Sequence, residues 1–371
     1  MPTKIVVLAE GRSAGSRGGK FGSLEFARGI AALLVVLDHA GYMVREDRYF
    51  GQDAFGGVLL NLHVGVDFFF VLSGFIISTV HWGDAGRRDR LWHYAKRRFM
   101  RIFPPYWIVL TFVVATYALS PQLGVARQHE WPNVVASYVL FPMPDQPVLG
   151  VAWTLVFEMA FYVLFAGYIF IGRSLLWIFG PWTIAVLWAA AYGPLDYPID
   201  FLTSPYHLEF AMGVLVAAGV RNTADPGKLP MMALIAAGLA IFAGCALSMG
   251  PSSMLEVPIV GRMVFGTAAA VIIFGATKLE AVDGLRIPPL AQMLGAMSYS
   301  LYLSHTVTES AFMRFAMQLP ERVRTPENVV IVISIAGILG GWVFWLLIER
   351  PLLQHFRKHT PQVQVLSSPG R

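Results

Sequence analysis

Apolar residues fall along most of this chain in runs of about twenty, parted by short polar stretches, and a run of that length lets an α-helix cross the hydrocarbon core of a bilayer. Ten such runs stand out: 26–43, 58–80, 104–120, 153–171, 175–192, 206–220, 230–249, 260–277, 290–311 and 328–348. The pattern predicts an all-α integral membrane protein of about ten transmembrane helices. Helix-stop residues bound several runs: Pro104 and Pro105 open the third, and Pro351 closes the tenth. The strip 134–141 is too short to cross and lies between Pro132 and Pro142, which predicts an interfacial or re-entrant segment. The 5–9 run is too short for a signal-peptide core. No internal repeat is visible. The chain divides into an N-terminal tail (1–22), one transmembrane domain (23–352) and a C-terminal tail (353–371).

Composition narrows the class further. Of 371 residues, 56% are hydrophobic and 14% charged, whereas soluble domains carry about 25% charge. So few charges cannot cover a water-facing surface of this size, and intrinsic disorder needs the opposite composition. The single cysteine, Cys245, excludes an intrachain disulfide and any multi-cysteine metal site. Its run is apolar and rich in small residues, so packing is its expected role.

Lysine and arginine set the orientation. With the N-terminus cytoplasmic, 20 of the 28 fall on inner segments and 6 on outer loops, while Arg28 and Arg262 lie inside runs. Both termini are therefore expected in the cytoplasm, in a multi-pass protein of the bacterial inner (plasma) membrane. The cluster Arg87, Arg88, Arg90, Lys96, Arg97, Arg98 and Arg101 is denser than orientation requires. It suits two roles: an anchor on anionic membrane lipids, or a phosphate site for a cytosolic nucleotide-bearing donor. Nucleic acid fits poorly, because these residues hug a membrane face.

Ionisable groups inside a membrane are costly and point to function. The runs hold the acids Asp38, Asp67, Glu158, Glu209 and Glu309 and the histidines His39, His63, His207 and His305. His207 and Glu309 lie near run ends, where an interfacial place is the simple reading. His39, Asp67, Glu158 and His305 stand at similar depth on four helices, which predicts one polar cavity opening outward. Arg28 and His39 are eleven residues apart, three helical turns plus roughly 20°, so they share a stripe separated by about 16 Å along the axis. Ala32 and Val35 lie between them, and the stripe reads as a slot for an extended ligand. The plainer alternative has Arg28 reaching the inner headgroups and His39 bonding a neighbouring helix. Trp153 suits a place in the interfacial belt, with Glu158 deeper on the same helix. Tyr302 and His305 share a face at i, i+3. Glu349 and Arg350 read as a local ion pair at a helix end. No phosphate-binding glycine loop, zinc-spaced motif or serine-hydrolase elbow is present, so no bound metal or redox cofactor is expected.

Taken in order, these residues resemble the acyltransferase-3 family of bacterial membrane O-acyltransferases, near its exopolysaccharide-modifying members. The carriers are Arg28 and His39 with ten residues between them, the segment from Phe68 through Ser73 and Gly74 to Phe75, and the basic stretch Lys96, Arg97, Arg98 and Arg101 before Pro104. Trp153, Thr154 and Glu158 with Phe161 and Tyr162 follow, then Ser298, Ser300, Tyr302 and His305, then Glu349, Arg350 and Pro351. Each motif alone is weak; the ordered set, spanning roughly 23–352, is specific. Glu25 stands where an aspartate is common and Thr154 where a serine is. No fused hydrolase-like domain accompanies the set, which matches a minimal ten-helix form.

The resemblance implies transfer of an acyl group, usually acetyl, from cytosolic acyl-coenzyme A as co-substrate to a carbohydrate hydroxyl on exopolysaccharide, lipopolysaccharide or a lipid-linked precursor. Arg28, Arg97, Arg98 and Arg101 are then expected to hold the donor's phosphates, and His39 to act as general base, since imidazole titrates near neutrality. Glu158 or Asp67 would orient His39. Tyr302, Ser300 or Trp153 would donate to the developing oxyanion, and Tyr162 and His305 complete the expected substrate contacts. Two rival classes are a flippase for a lipid-linked sugar and a non-catalytic scaffold. The first commonly carries inverted repeats, which are not seen here; the second needs no Arg28–His39 stripe. A small glycosylated metabolite is a further possible acceptor.

Overall fold

A computed structural model describes residues 21–172, 175–193, 195–248, 259–283 and 287–358. The 5–9 run, Arg173, Arg286 and the ends of both tails lie outside the described residues. The regular structure is helical, with no strand among the described residues. The α-helices are α1 (Gly22–Arg45), α2 (Val64–His81), α3 (Arg88–Leu119), α4 (Trp131–Val139), α5 (Trp153–Ile171), α6 (Leu175–Tyr192), α7 (Ile199–Leu202), α8 (Tyr206–Asn222), α9 (Lys228–Ser248), α10 (Ile259–Asp283), α11 (Pro289–Ala316), α12 (Pro326–Phe344) and α13 (Arg350–Lys358). Every run expected to cross a membrane lies in one of these helices. Among the described residues, seven segments are long and apolar enough to cross: those built on α1, α2, α3, α5, α9, α10 and α12. α8 has only 17 residues. α11 has the length but spends its inward positions on serines, His305 and Glu309.

The helices pack in the order α12–α11–α1–α2–α8–α10–α9, with α3 and α5 laid across α2 and α11. Glycines set the closest approaches. A Cβ on Gly29 would stand 2.9 Å from the Gly295 nitrogen, and one on Gly74 would stand 2.2 Å from the Phe210 carbonyl oxygen. Only glycine allows α1 to approach α11, and α2 to approach α8, this closely.

One end of the bundle gathers the basic residues. There the Ser23 hydroxyl bonds the Glu280 carboxylate, Arg88 lies over Phe170 at 4.3 Å, Arg221 over Trp82 at 5.7 Å, and Lys278 Nζ donates to the Thr223 carbonyl at 2.7 Å. The opposite end carries the turn before α2, α4 and the segments 141–150 and 195–205.

Two sequence expectations change. Pro104 and Pro105 do not open a helix; α3 begins at Arg88 and runs through both prolines. An internal proline leaves carbonyls of the preceding turn without their usual donors, and here the Tyr299 hydroxyl donates to the Ile102 carbonyl at 2.8 Å. Glu349 and Arg350 form no local pair. Residues 345–349 make a π turn, which buries Glu349 completely and turns Arg350 over the Trp345 ring at 5.4 Å. The short 134–141 strip forms most of α4, buried at Asn133, Val134, Ala136 and Ser137 and exposed at Val135 and Val139.

Candidate active site

A cavity of about 150 Å³ opens between α1, α2, α3, α5 and α11. Its wall carries three arginines, Arg28, Arg98 and Arg101, and one acid, Glu158. Arg28 is fixed from α11: its Nε donates to Ser298 Oγ at 2.8 Å and its Nη2 to the Gly295 carbonyl at 2.7 Å. The close crossing at Gly29 and Gly295 brings that guanidinium to α11. Arg101 Nη1 donates to Glu349 Oε1 at 2.7 Å, and Ser300 Oγ donates to Glu349 Oε2 at 2.5 Å. Arg98 lies 5.7 Å from the Tyr162 ring centre and 5.9 Å from that of Tyr94, and its Nε has no hydrogen-bond partner among the described residues. Ser73 Oγ donates to Glu158 Oε1 at 3.1 Å, and the Tyr162 hydroxyl donates to the same oxygen. Counting Glu349 behind the wall, three cations face two carboxylates. The surplus favours an anionic ligand, and guanidinium forks suit phosphate oxygens.

At its far end the cavity reaches Tyr302. Its hydroxyl is 2.8 Å from Thr154 Oγ1 and donates to the Val151 carbonyl at 3.0 Å. Beyond it, the His305 ring centre is 6.0 Å from that of Tyr302, and the His39 ring stands edge-on to His305 at 4.9 Å. A carbonyl only accepts, so the ring partners fix both tautomers: His39 Nδ1 donates to Val35 O at 2.9 Å, and His305 Nδ1 to Leu301 O at 3.0 Å. Each neutral ring therefore carries its lone pair on Nε2. His305 is fully buried and its Nε2 has no partner among the described residues. The His39 side chain is 36% exposed, so its Nε2 face is reachable.

The acyltransferase domain model of the acyltransferase-3 family matches residues 21–348. The chain belongs to that family. The match contains the cavity wall and both histidines; Glu349 lies one residue past it. The chain is 30% identical over 304 residues to the exopolysaccharide production protein ExoZ of Rhizobium meliloti, covering 79% of this chain and 90% of that protein. A shorter likeness, 30% over 108 residues, covers 29% of this chain and 50% of protein 2 in the picA locus of Rhizobium radiobacter. No solved structure matches the chain.

Within this acyltransferase-family protein, the expected site residues divide into groups. Arg28, Arg98, Arg101, Glu158, Tyr162 and Tyr302 share the cavity, and His39 meets His305. Arg97 points to the exposed side of α3, because neighbouring helical residues are turned about 100° apart while Arg98 and Arg101 share a face. Neither acid expected to orient His39 touches it. Glu158 is engaged by Ser73 and Tyr162, and Asp67 is buried 3.5 Å from Arg262 Nη1 and bonded to Glu209. The carboxylate beside His39 is Asp38 at 4.0 Å, and Asp38 also accepts from the His63 backbone nitrogen at 2.9 Å. Ser300 is committed to Glu349, so it has no proton for an oxyanion. Trp153 faces away from the cavity and packs against Tyr206 at 4.9 Å.

The Arg28–His39 stripe is no slot either. Ala32 is fully buried against Met297 and Leu301 of α11, and Val35 is buried in the main core. The open path leaves Arg28 sideways, past Ser73 and Glu158 to Tyr302. Glu309 and His207, expected at the interface, are buried: Glu309 against Gly337 of α12, and His207 against Trp182 at 4.1 Å. Sequence reasoning passed over Ser73, Ser298 and Glu349 as functional residues although all three lay in its motifs.

Proposed function

We propose that this protein transfers an acyl group, acetyl in the first instance, from cytosolic acyl-coenzyme A to a hydroxyl of an exported carbohydrate, in a bacterial inner membrane crossed ten times with both termini cytoplasmic. One observation carries the reading. A cation-lined cavity beginning toward the basic face runs to Tyr302, two ring contacts short of a histidine whose Nε2 lone pair is free. Arg28, Arg98 and Arg101 hold phosphate oxygens of the donor on the cytoplasmic side. The cavity is smaller than the roughly 300 Å³ at which sites for drug-sized ligands begin, so it takes a slender segment such as the pantetheine arm and leaves the nucleotide outside.

The chemistry balances without a cofactor. His39 Nε2 takes the acceptor hydroxyl proton as the oxygen attacks the thioester carbonyl; the C–O bond forms, the C–S bond breaks, and the imidazolium returns the proton to the leaving thiolate. Asp38 favours the transient imidazolium by charge. Tyr302 is the hydroxyl best placed for the oxyanion, giving up its bond to the Val151 carbonyl to do so. The similarity to an exopolysaccharide production protein supports a polysaccharide acceptor. The test is complementation of a deletion strain with His39→Ala. Polysaccharide that loses its O-acyl groups at normal protein level supports the reading; full acylation sinks it.

A further inference from the structure

A second cavity, of about 280 Å³, lies at the end of the bundle away from the basic face, between α4, the start of α5, the start of α8 and the segments 141–147 and 197–204. Its inner wall is aromatic: Trp153, Phe157 and Tyr206 are mutually packed, with ring centres 4.9 to 5.8 Å apart. Its rim is polar, with Asp145 and Asp200 both exposed. The Tyr206 side chain is 6% exposed and lines the cavity, yet its hydroxyl has no hydrogen-bond partner among the described residues. A buried hydroxyl without a partner costs about 1–3 kcal/mol unless something completes it.

We infer that this cavity is an anchoring subsite for one pyranose ring of the acceptor, separate from the ring whose hydroxyl reacts. The inference rests on the acyltransferase reading above. A pyranose has an apolar C–H face and a hydroxyl edge. The C–H face suits aromatic rings, whose faces carry partial negative charge; the edge suits carboxylate acceptors and the Tyr206 hydroxyl. The volume is that of one sugar residue rather than a chain. Position separates the subsite from the chemistry. Trp153 faces this cavity, while Thr154, the next residue, is bonded to Tyr302 in the first cavity. The first turn of α5 is the wall between them, so a ring seated here belongs to an acceptor long enough to reach round that turn. Binding energy from such a remote ring serves to position the reacting one.

The test uses the full chain in lipid nanodiscs, radiolabelled acetyl-coenzyme A, and de-O-acylated exopolysaccharide of the producing cells cut into oligosaccharides of graded length. The wild type is expected to show an acceptor KM that falls as the oligosaccharide lengthens. Trp153→Ala is expected to raise the KM for long acceptors about tenfold and flatten the length dependence, with the KM for acetyl-coenzyme A kept; Trp153→Phe restores most of it. Tyr206→Phe and Asp200→Asn, which remove no packing, raise acceptor KM about threefold each. Wild-type length dependence in the active variants overturns the subsite, as does an equal rise in donor KM, which would assign Trp153 to the donor. A wild type that acylates no saccharide overturns the acyltransferase reading, and the subsite falls with it.

Discussion

In the inner cavity Arg101 and Ser300 both donate to Glu349, Ser73 and Tyr162 both donate to Glu158, and Ser298 and Gly295 both accept from Arg28. In the outer group the same accounting fails. His305 Nε2, His63 Nε2 and both Glu309 oxygens are buried with no hydrogen-bond partner among the described residues. Polar groups that hold one another keep a fixed shape, as a surface that receives a ligand must. Nitrogens left bare are open to a proton or a substrate hydroxyl. The two regions differ less in which residues they contain than in whether the protein completes their bonds itself.

The largest expected effect lies on the open side. His39→Ala should lower acyl transfer by about 10²–10⁴-fold, the usual worth of a positioned general base, with little change in donor KM. Initial rates in nanodiscs at saturating acyl-coenzyme A check this, and a loss confined to donor KM would reverse the assignment of the two regions. Next is Arg28→Ala, which removes a charged donor and should raise donor KM about thirtyfold, as charge-assisted bonds of roughly 2 kcal/mol imply. Arg101→Ala leaves Glu349 buried with only Ser300 and should cost about 3 kcal/mol of stability, seen as a lower thermal midpoint. Pairing Arg101→Met with Glu349→Met should recover that midpoint while donor KM stays high, which separates holding the frame from holding the ligand. The smallest change is Arg97→Ala, which should leave donor KM within twofold because its side chain faces outward. A large effect there would move the donor site out of the cavity and onto the surface of α3.

The helices and their order were legible because apolar period and length are properties of the chain itself. So was the shared face of Tyr302 and His305, since a helix fixes i and i+3 without knowing its neighbours. What the sequence hid was partnership. Glu349 sits beside Arg350 in the chain and finds Arg101 across 248 positions. Asp67 looks equivalent to Glu158 by depth, yet α8 and α10 supply it with Glu209 and Arg262 and take it out of the reaction site. The Arg28–His39 register was right about direction and wrong about space, because whether a stripe is open depends on what packs against it. Ser73 looked like one of the small residues that let helices meet; Gly74 plays that part, and Ser73 holds Glu158.

The π turn at 345–349 has a consequence for how this family can vary in length. Such a turn is an α-helix carrying one extra residue. Deleting a single position among 346–348 would restore the regular spiral and swing everything after it by about 100°. The side chain now reaching Arg101 would be carried off its bearing, although no residue in contact with the cavity had been exchanged. An aligned sequence one residue shorter at this point would still read as having every motif in place. Its acid would be spelled correctly and aimed elsewhere.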